Sequence, residues 1–278
     1  MNTGEINTVC LALGPYRNLT TLTAAMIALH PRCQVLNHAG ERVFANRRVN
    51  FLDEYSDEKF EAFIRHAVKM SRGGTRGQYG GSILHSHAFG RDAVRRAYET
   101  RFGKTRRKSH IQSVFWKESL LTSNYIRTHQ VDLDAIFAAN PRLRFLMPVR
   151  NPMDCAVSNL NRGRASQFEG LTAEASLEEV LGAILREFAW FLAQHDRNPD
   201  RFFYFLENEF DRESLLRLAD FLGVESDPEW LEAATGVYRL EGAYTHAAAL
   251  RQAYGGLVRE IFGDRAEIRD RLLAFAGR

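Results

Sequence analysis

Two short segments gather residue types that can grip a phosphate or a sulfate. The first is Gly14-Pro15-Tyr16-Arg17-Asn18-Leu19-Thr20-Thr21-Leu22. It lies between an apolar run and a stretch with helical spacing, so its backbone N–H groups converge at the positive end of a helix dipole. Thr20, Thr21 and Asn18 add neutral donors and Arg17 adds a charge. The second is Arg150-Asn151-Pro152-Met153-Asp154-Cys155-Ala156-Val157-Ser158, with Arg162 beyond it. Pro152 suits the first turn of a helix, which puts Ser158 about two turns along it and Arg162 roughly one turn further on a similar face. An arginine at the carboxyl end of a strand, joined by a hydroxyl and a second arginine, can hold a dianionic phosphate. Each segment alone also fits a plainer role, a Thr-capped turn in the first case and an Arg150–acid pair in the second. Neither is a Walker A loop: the Lys-Ser/Thr pair is missing, and no apolar run ends in the aspartate that would hold Mg²⁺.

Positioning such segments takes a scaffold of alternating strands and helices, and the chain reads that way. Val9–Leu13 is an unbroken apolar run, as expected of a strand buried on both faces. Thr20 or Thr21 opens a helix running toward His30-Pro31. Phe60, Phe63, Ile64, Ala67 and Val68 form one apolar helical stripe that Gly73-Gly74 ends. After a glycine-rich loop, Ile83-Leu84 and Val114-Phe115-Trp116 read as short strands. A helix over Leu133–Ala139 precedes a buried strand from Phe145 to Val149, and Pro148 inside that strand marks its end or a gap beside it. Ser176 with Glu179 makes a capping box for a long helix, Phe202–Leu206 is a strand, and Asp211 caps a helix that ends at Leu222-Gly223. The pattern predicts an α/β fold with a central parallel sheet flanked by helices, in a single domain over residues 1–278.

With 278 residues, 45% of them hydrophobic and 26% charged, the chain is globular and long enough to need no disulfides. Cys10, Cys33 and Cys155 lie in or beside apolar runs and read as reduced thiols. No stretch approaches the ~18 apolar residues of a membrane span, and no leader pattern opens the chain, so the expected location is cytoplasmic. The net charge of +3 hides an uneven spread, because Arg91–Lys108 carries eight bases against two acids. Such a run is commonly a solvated face, and it also fits an anionic acceptor such as an acidic glycan or peptide. No nucleic-acid motif accompanies it, so nucleic acid is not an expected partner. His85 and His87 would share a strand face, but no third ligand follows at a diagnostic spacing, and no metal is expected.

Taken together, the order and chain positions of the two anion segments resemble the sulfotransferases that use 3′-phosphoadenosine 5′-phosphosulfate (PAPS). That family's Pro-Arg-Ser-Gly-Thr-Thr element lines up with Tyr16-Arg17-Asn18-Leu19-Thr20-Thr21, matching at Arg17, Thr20 and Thr21, and its Arg-Asp-Pro element with a later serine is matched by Arg150, Pro152 and Ser158. Arg162 falls where the protein-tyrosine branch carries an arginine. Leu19 departs from the usual glycine, Asn18 from serine and Asn151 from aspartate. The resemblance extends over roughly Val9–Gly223 and implies a P-loop NTPase-like architecture, PAPS as co-substrate, and a small-molecule, glycan or peptide acceptor. It implies that Arg17, Asn18, Leu19, Thr20, Thr21, Arg150, Ser158 and Arg162 bind the nucleotide. Lys117, in Val114-Phe115-Trp116-Lys117-Glu118, is then the cation near the bridging oxygen. Glu41 is the first choice for the base, from the stretch His30-Pro31 through Gly40-Glu41, and His87 is its rival by likeness to the Lys-Thr-His of the cytosolic branch. The competing readings are a Mg²⁺-dependent nucleotide kinase or NTPase, and a non-catalytic nucleotide binder, which Leu19 makes worth carrying.

Overall fold

The structure, a computed structural model, describes residues 5–74, 80–238 and 244–277. Its chain divides into two compact units: Met1–Leu13, Thr20–Leu146 and Asp211–Arg239 in the first, and Gly14–Leu19, Met147–Phe210 and Leu240–Arg278 in the second.

The first unit opens with β1 (Thr8–Ala12), α1 (Thr20–Ala28) and β2 (Cys33–Asn37), followed by α2 (Gly40–Ala45), α3 (Asp57–Met70), β3 (Gly81–Ser82) and α4 (Asp92–Phe102). Then come β4 (Ser113–Lys117), α5 (Ser119–Thr128), α6 (Leu133–Ala139) and β5 (Leu143–Val149), whose last three residues belong to the second unit. Strands β1, β2 and β4 are buried along their whole length, which is why β1 and the middle of β4 read as continuous apolar runs rather than alternating ones. They pair in parallel: Leu11 with Trp116, Trp116 with Leu36, Lys117 with Asn37, and Ala12 with Leu146 of β5. Strand β3 runs antiparallel to β2, beside Leu36 and Asn37. The register sets the carboxyl ends of β1, β4 and β2 level with one another, so the residues that follow these strands emerge at one edge.

The second unit contains α7 (Pro152–Leu160), α8 (Leu177–Arg197) and β6 (Phe202–Leu206), and after the first unit's α9 (Arg212–Phe221) and α10 (Pro228–Val237), α11 (Ala248–Ile261) and α12 (Ala266–Leu273). The strand order of the sheet is β3-β2-β4-β1-β5-β6. The Ser176–Glu179 capping box opens α8 and the Asp211 side chain caps α9, both as the sequence predicts. All three cysteines are buried free thiols, and burial pushes those of Cys33 and Cys155 up to about 12.

Ile83 and Leu84 are not a strand: Ile83–His85 is a single 3₁₀ turn, followed by another over His87–Gly90. The edge strand stops after Ser82 because the Ser82 hydroxyl accepts from the Leu84 N–H and starts the turn. Part of the glycine-rich loop, residues 75–79, lies outside the described residues. Among the described residues no helix is long and apolar enough to cross a membrane.

Candidate active site

Residues Gly14–Leu19 of the first anion segment and the whole of the second lie in the second unit, and there they meet. Arg17 Nε donates to Ser158 Oγ at 2.9 Å, across 141 residues of sequence. Asn18 works as a clamp: its amide donates to Pro148 O, and its Oδ1 accepts from Arg150 N at 2.8 Å. The side-chain amide thus extends the hydrogen bonding of β5 past the point where Pro148 offers no N–H of its own, and one of its two N–H donors positions the loop. Asn159 and Cys155 both donate to Tyr16 O, fixing the loop's other side. Gly14 lies so close to Met147 that a Cβ would come within 2.7 Å of that side chain, and its φ is +93°.

Local sequence explains α7. Asn151 Oδ1 accepts from Met153 N at 3.0 Å as the helix cap and Pro152 fills the first turn, so Asn151 serves where the related pattern has aspartate. Ser158 is buried on this helix and Arg162 is exposed just past its end. Arg150 pairs with Asp154 Oδ2 at 3.2 Å, so the plainer role foreseen for it is also present. That carboxylate is shared, however: Asp154 Oδ1 lies 2.7 Å from His246 Nε2 and accepts from Tyr244 N at 3.2 Å. Neither Tyr244 nor His246 stood out in the sequence, since contact with Asp154 across about ninety residues leaves no local trace. Burial, and then the charges of Arg162 and Arg150, pull the Arg17 guanidinium below its ordinary pKa. The charges of Arg17, Arg150 and Arg162 thus act on one another, and such a concentration of positive charge favours an anion.

A separate group of candidate residues lies in the first unit. Thr20 opens α1 with no acidic residue in its first turn, and Thr20 Oγ1 is buried with no hydrogen-bond partner among the described residues. An unneutralised helix N-terminus beside an orphaned hydroxyl fits the oxygens of a phosphosulfate. At the end of β4, Lys117 and Glu118 are both buried. Lys117 Nζ lies 3.4 Å from His38 Nε2, and Glu118 Oε1 lies 3.7 Å from His38 Nδ1. Glu118 Oε2 accepts from Gly40 N at 3.0 Å.

Glu41 sits exposed in the first turn of α2 and makes no ion pair or hydrogen bond among the described residues. His87 is exposed on its 3₁₀ turn. Because β3 runs antiparallel to β2, the chain after Ser82 heads away from the carboxyl ends of the strands and packs against α1 and α4. His38 escaped notice in the sequence. The signal was there in Val35-Leu36-Asn37-His38, a polar residue just past an apolar run, the same cue that marks Lys117 and Arg150.

A sequence profile, that of the sulfotransferase family, matches residues 12–228. No curated protein matches the sequence. Among solved structures, mouse sulfotransferase SULT7A1 complexed with PAP is similar over 98% of this chain and 89% of its own, at 13% identity and a TM-score of 0.44. Sulfotransferase STF9 from Mycobacterium avium is similar over 95% of this chain and 76% of its own, at 14% identity and a TM-score of 0.46. A sulfotransferase from Alicyclobacillus acidocaldarius aligns over 98% and 96%, at 16% identity and 0.40. At such scores the family assignment rests on the profile match.

Proposed function

The chain belongs to the sulfotransferase family, and from that premise we propose that it moves a sulfuryl group from PAPS to a hydroxyl or amine acceptor, in the cytoplasm and without a metal. Arg17, Arg150, Arg162 and Ser158 hold the phosphates of the nucleotide, with Asn18 and Leu19 shaping the loop. Thr20 and Thr21 at the head of α1 receive the sulfuryl end, and Lys117 neutralises the bridging oxygen as its bond to sulfur breaks. Sulfuryl transfer asks little more of a protein than this cation and a base for the acceptor proton. The acceptor, whether a small molecule, a glycan or a peptide, is set by loops around this machinery.

The observation that carries the reading is the Arg17–Ser158 contact together with the Asn18 clamp. Two segments that could each have been a plain turn or helix start are bound to each other, as one ligand gripped by both requires. The family match does not favour the kinase reading.

Calorimetry with 3′,5′-adenosine bisphosphate tests the assignment. Wild type binds it; Arg150→Ala loses about 1.5–3 kcal/mol of affinity, the worth of a charge-assisted bond, and Ser158→Ala loses less. Equal affinity in wild type and Arg150→Ala rejects the placement of the phosphate. ATP with Mg²⁺ binding in preference to the bisphosphate rejects the whole reading.

A further inference from the structure

Residues 38–40 are bent in a way that holding a nucleotide does not require. His38 has φ +60° and Ala39 φ +84°, two successive side-chain-bearing residues in the left-handed region. That backbone is costly for both, and such strain persists only where the surroundings over-determine it. Here the last three residues around the end of β4 do so. Trp116 Nε1 donates to His38 O at 2.6 Å, His38 N donates to Lys117 O at 3.1 Å, and Gly40 N donates to Glu118 Oε2 at 3.0 Å. A Cβ on Gly40 would come within 2.5 Å of Leu121 and 2.9 Å of Glu118, so only glycine lets the chain approach this closely.

The bend delivers one thing, an imidazole between a cation and a carboxylate. The Glu118 side chain is 6% exposed and that of His38 29%, so the carboxylate is buried while the ring reaches solvent. A buried carboxylate 3.7 Å from Nδ1 favours the proton on that nitrogen. An ammonium 3.4 Å from Nε2 can only donate, so Nε2 carries the lone pair. This is the tautomer a general base needs, with its basic nitrogen turned to the lysine assigned to the leaving group.

We propose that His38 is the base that takes the acceptor's proton, that Glu118 holds it in the Nδ1–H form, and that Lys117 covers Nε2 until the donor's bridging oxygen draws the ammonium away. The proposal rests on the PAPS reading above. In the step, the acceptor O–H gives its proton to His38 Nε2 as the acceptor oxygen bonds to sulfur. The bond from sulfur to the bridging oxygen breaks, and its electron pair stays on the phosphate oxygen of the departing adenosine bisphosphate, beside Lys117. The imidazolium, facing Glu118, then releases its proton to solvent. Glu41 and His87 are displaced from the base role: Glu41 has no partner among the described residues to orient it, and β3 leads the chain carrying His87 away from this edge.

Two measurements test this. Nitrogen-15 NMR of histidine-labelled wild type, with His38 assigned by its loss in His38→Asn, should show the Nδ1–H tautomer in the free protein. Saturating 3′,5′-adenosine bisphosphate should shift the Nε2 resonance, and an Nε2–H tautomer or an unmoved resonance overturns the proposal. Asparagine tolerates left-handed backbone, so His38→Asn keeps the bend. After a screen of hydroxyl acceptors with labelled PAPS, His38→Asn should lose about 10²–10⁴-fold in turnover with unchanged bisphosphate affinity. Glu41→Gln and His87→Asn should each lose less. His38→Asn retaining turnover while Glu41→Gln or His87→Asn loses it sinks this inference and leaves the PAPS reading standing. Wild type failing to bind the bisphosphate sinks both.

Discussion

Leu19 holds its backbone at φ +60°, and Arg17, two residues earlier, holds +63°. Left-handed backbone disfavours any residue with a Cβ and most of all one branched there. The loop therefore keeps the turn for which a glycine would be suited, and Leu19 reaches it at a cost in stability rather than by reshaping the loop. Leu19→Ile adds the β-branch at equal volume and should destabilise the fold by about 1 kcal/mol, read by urea denaturation. Leu19→Gly should bind the bisphosphate at least as tightly as wild type. An isoleucine variant as stable as wild type would mean that the φ at this position carries no strain. Asn18 teaches a different lesson at the same scale: its amide bonds both Pro148 and Arg150, so this residue anchors the loop.

At the scale of elements, the carboxyl end of α1 shows how the basic run is divided. Lys108 is buried and donates to the carbonyls of Ala28, His30 and Cys33, capping the helix, and burial pulls its ammonium down to about 7. Arg101 pairs with Asp227 at 2.6 Å. Lys104, Arg106 and Arg107 remain exposed. Lys108 meets Cys33, the first residue of β2, whereas His38 follows the last, so this run borders the end of the strand opposite the imidazole. His30 belongs to the same cap. Its Nε2 donates to Glu225 O at 2.9 Å and its Nδ1 accepts from Arg32 N at 3.1 Å, so the ring must be neutral. Burial, opposed by the Glu225 bond, lowers its pKa from 6.5 to about 4. The native state then binds fewer protons than the unfolded chain between those values, so the contribution is complete above pH 6.5 and is lost as pH falls toward 4. The loss is up to about 3 kcal/mol. His30→Gln should flatten that part of the stability profile, measured by denaturation at steps from pH 7 to 4. Parallel profiles for wild type and variant would dismiss His30 as the source.

For the molecule as a whole, the division into two compact units has an unusual wiring. The chain changes unit five times, once inside β5 between Leu146 and Met147. A strand shared in this way leaves neither unit a continuous chain that could fold on its own, so we expect one cooperative transition, as for a single domain over 1–278. Adenosine bisphosphate at ~100 times its dissociation constant should raise the stability of that entire transition by about 2.7 kcal/mol. Two calorimetric transitions, only one moved by the nucleotide, would contradict it. What the sequence alone determined follows from local rules. Buried strands read as apolar runs, caps read as Ser176, Asn151 and Asp211, and the two anion segments read as arginines and hydroxyls set just past strands, which sufficed for the α/β class and the family. Helices α2, α5, α10, α11 and α12 went unread, and so did β2, because Cys33-Gln34-Val35-Leu36-Asn37 carries two polar residues, of which Gln34 is buried against Ser71 and the Arg106 carbonyl. Only the tertiary structure decided that Asn18 ties its loop to the end of β5, that Asp154 is shared with His246, and that His38 lies between Lys117 and Glu118. Each of these depends on contacts across roughly eighty residues or more, and spacing along a chain carries no information about which distant side chains the sheet register will bring face to face.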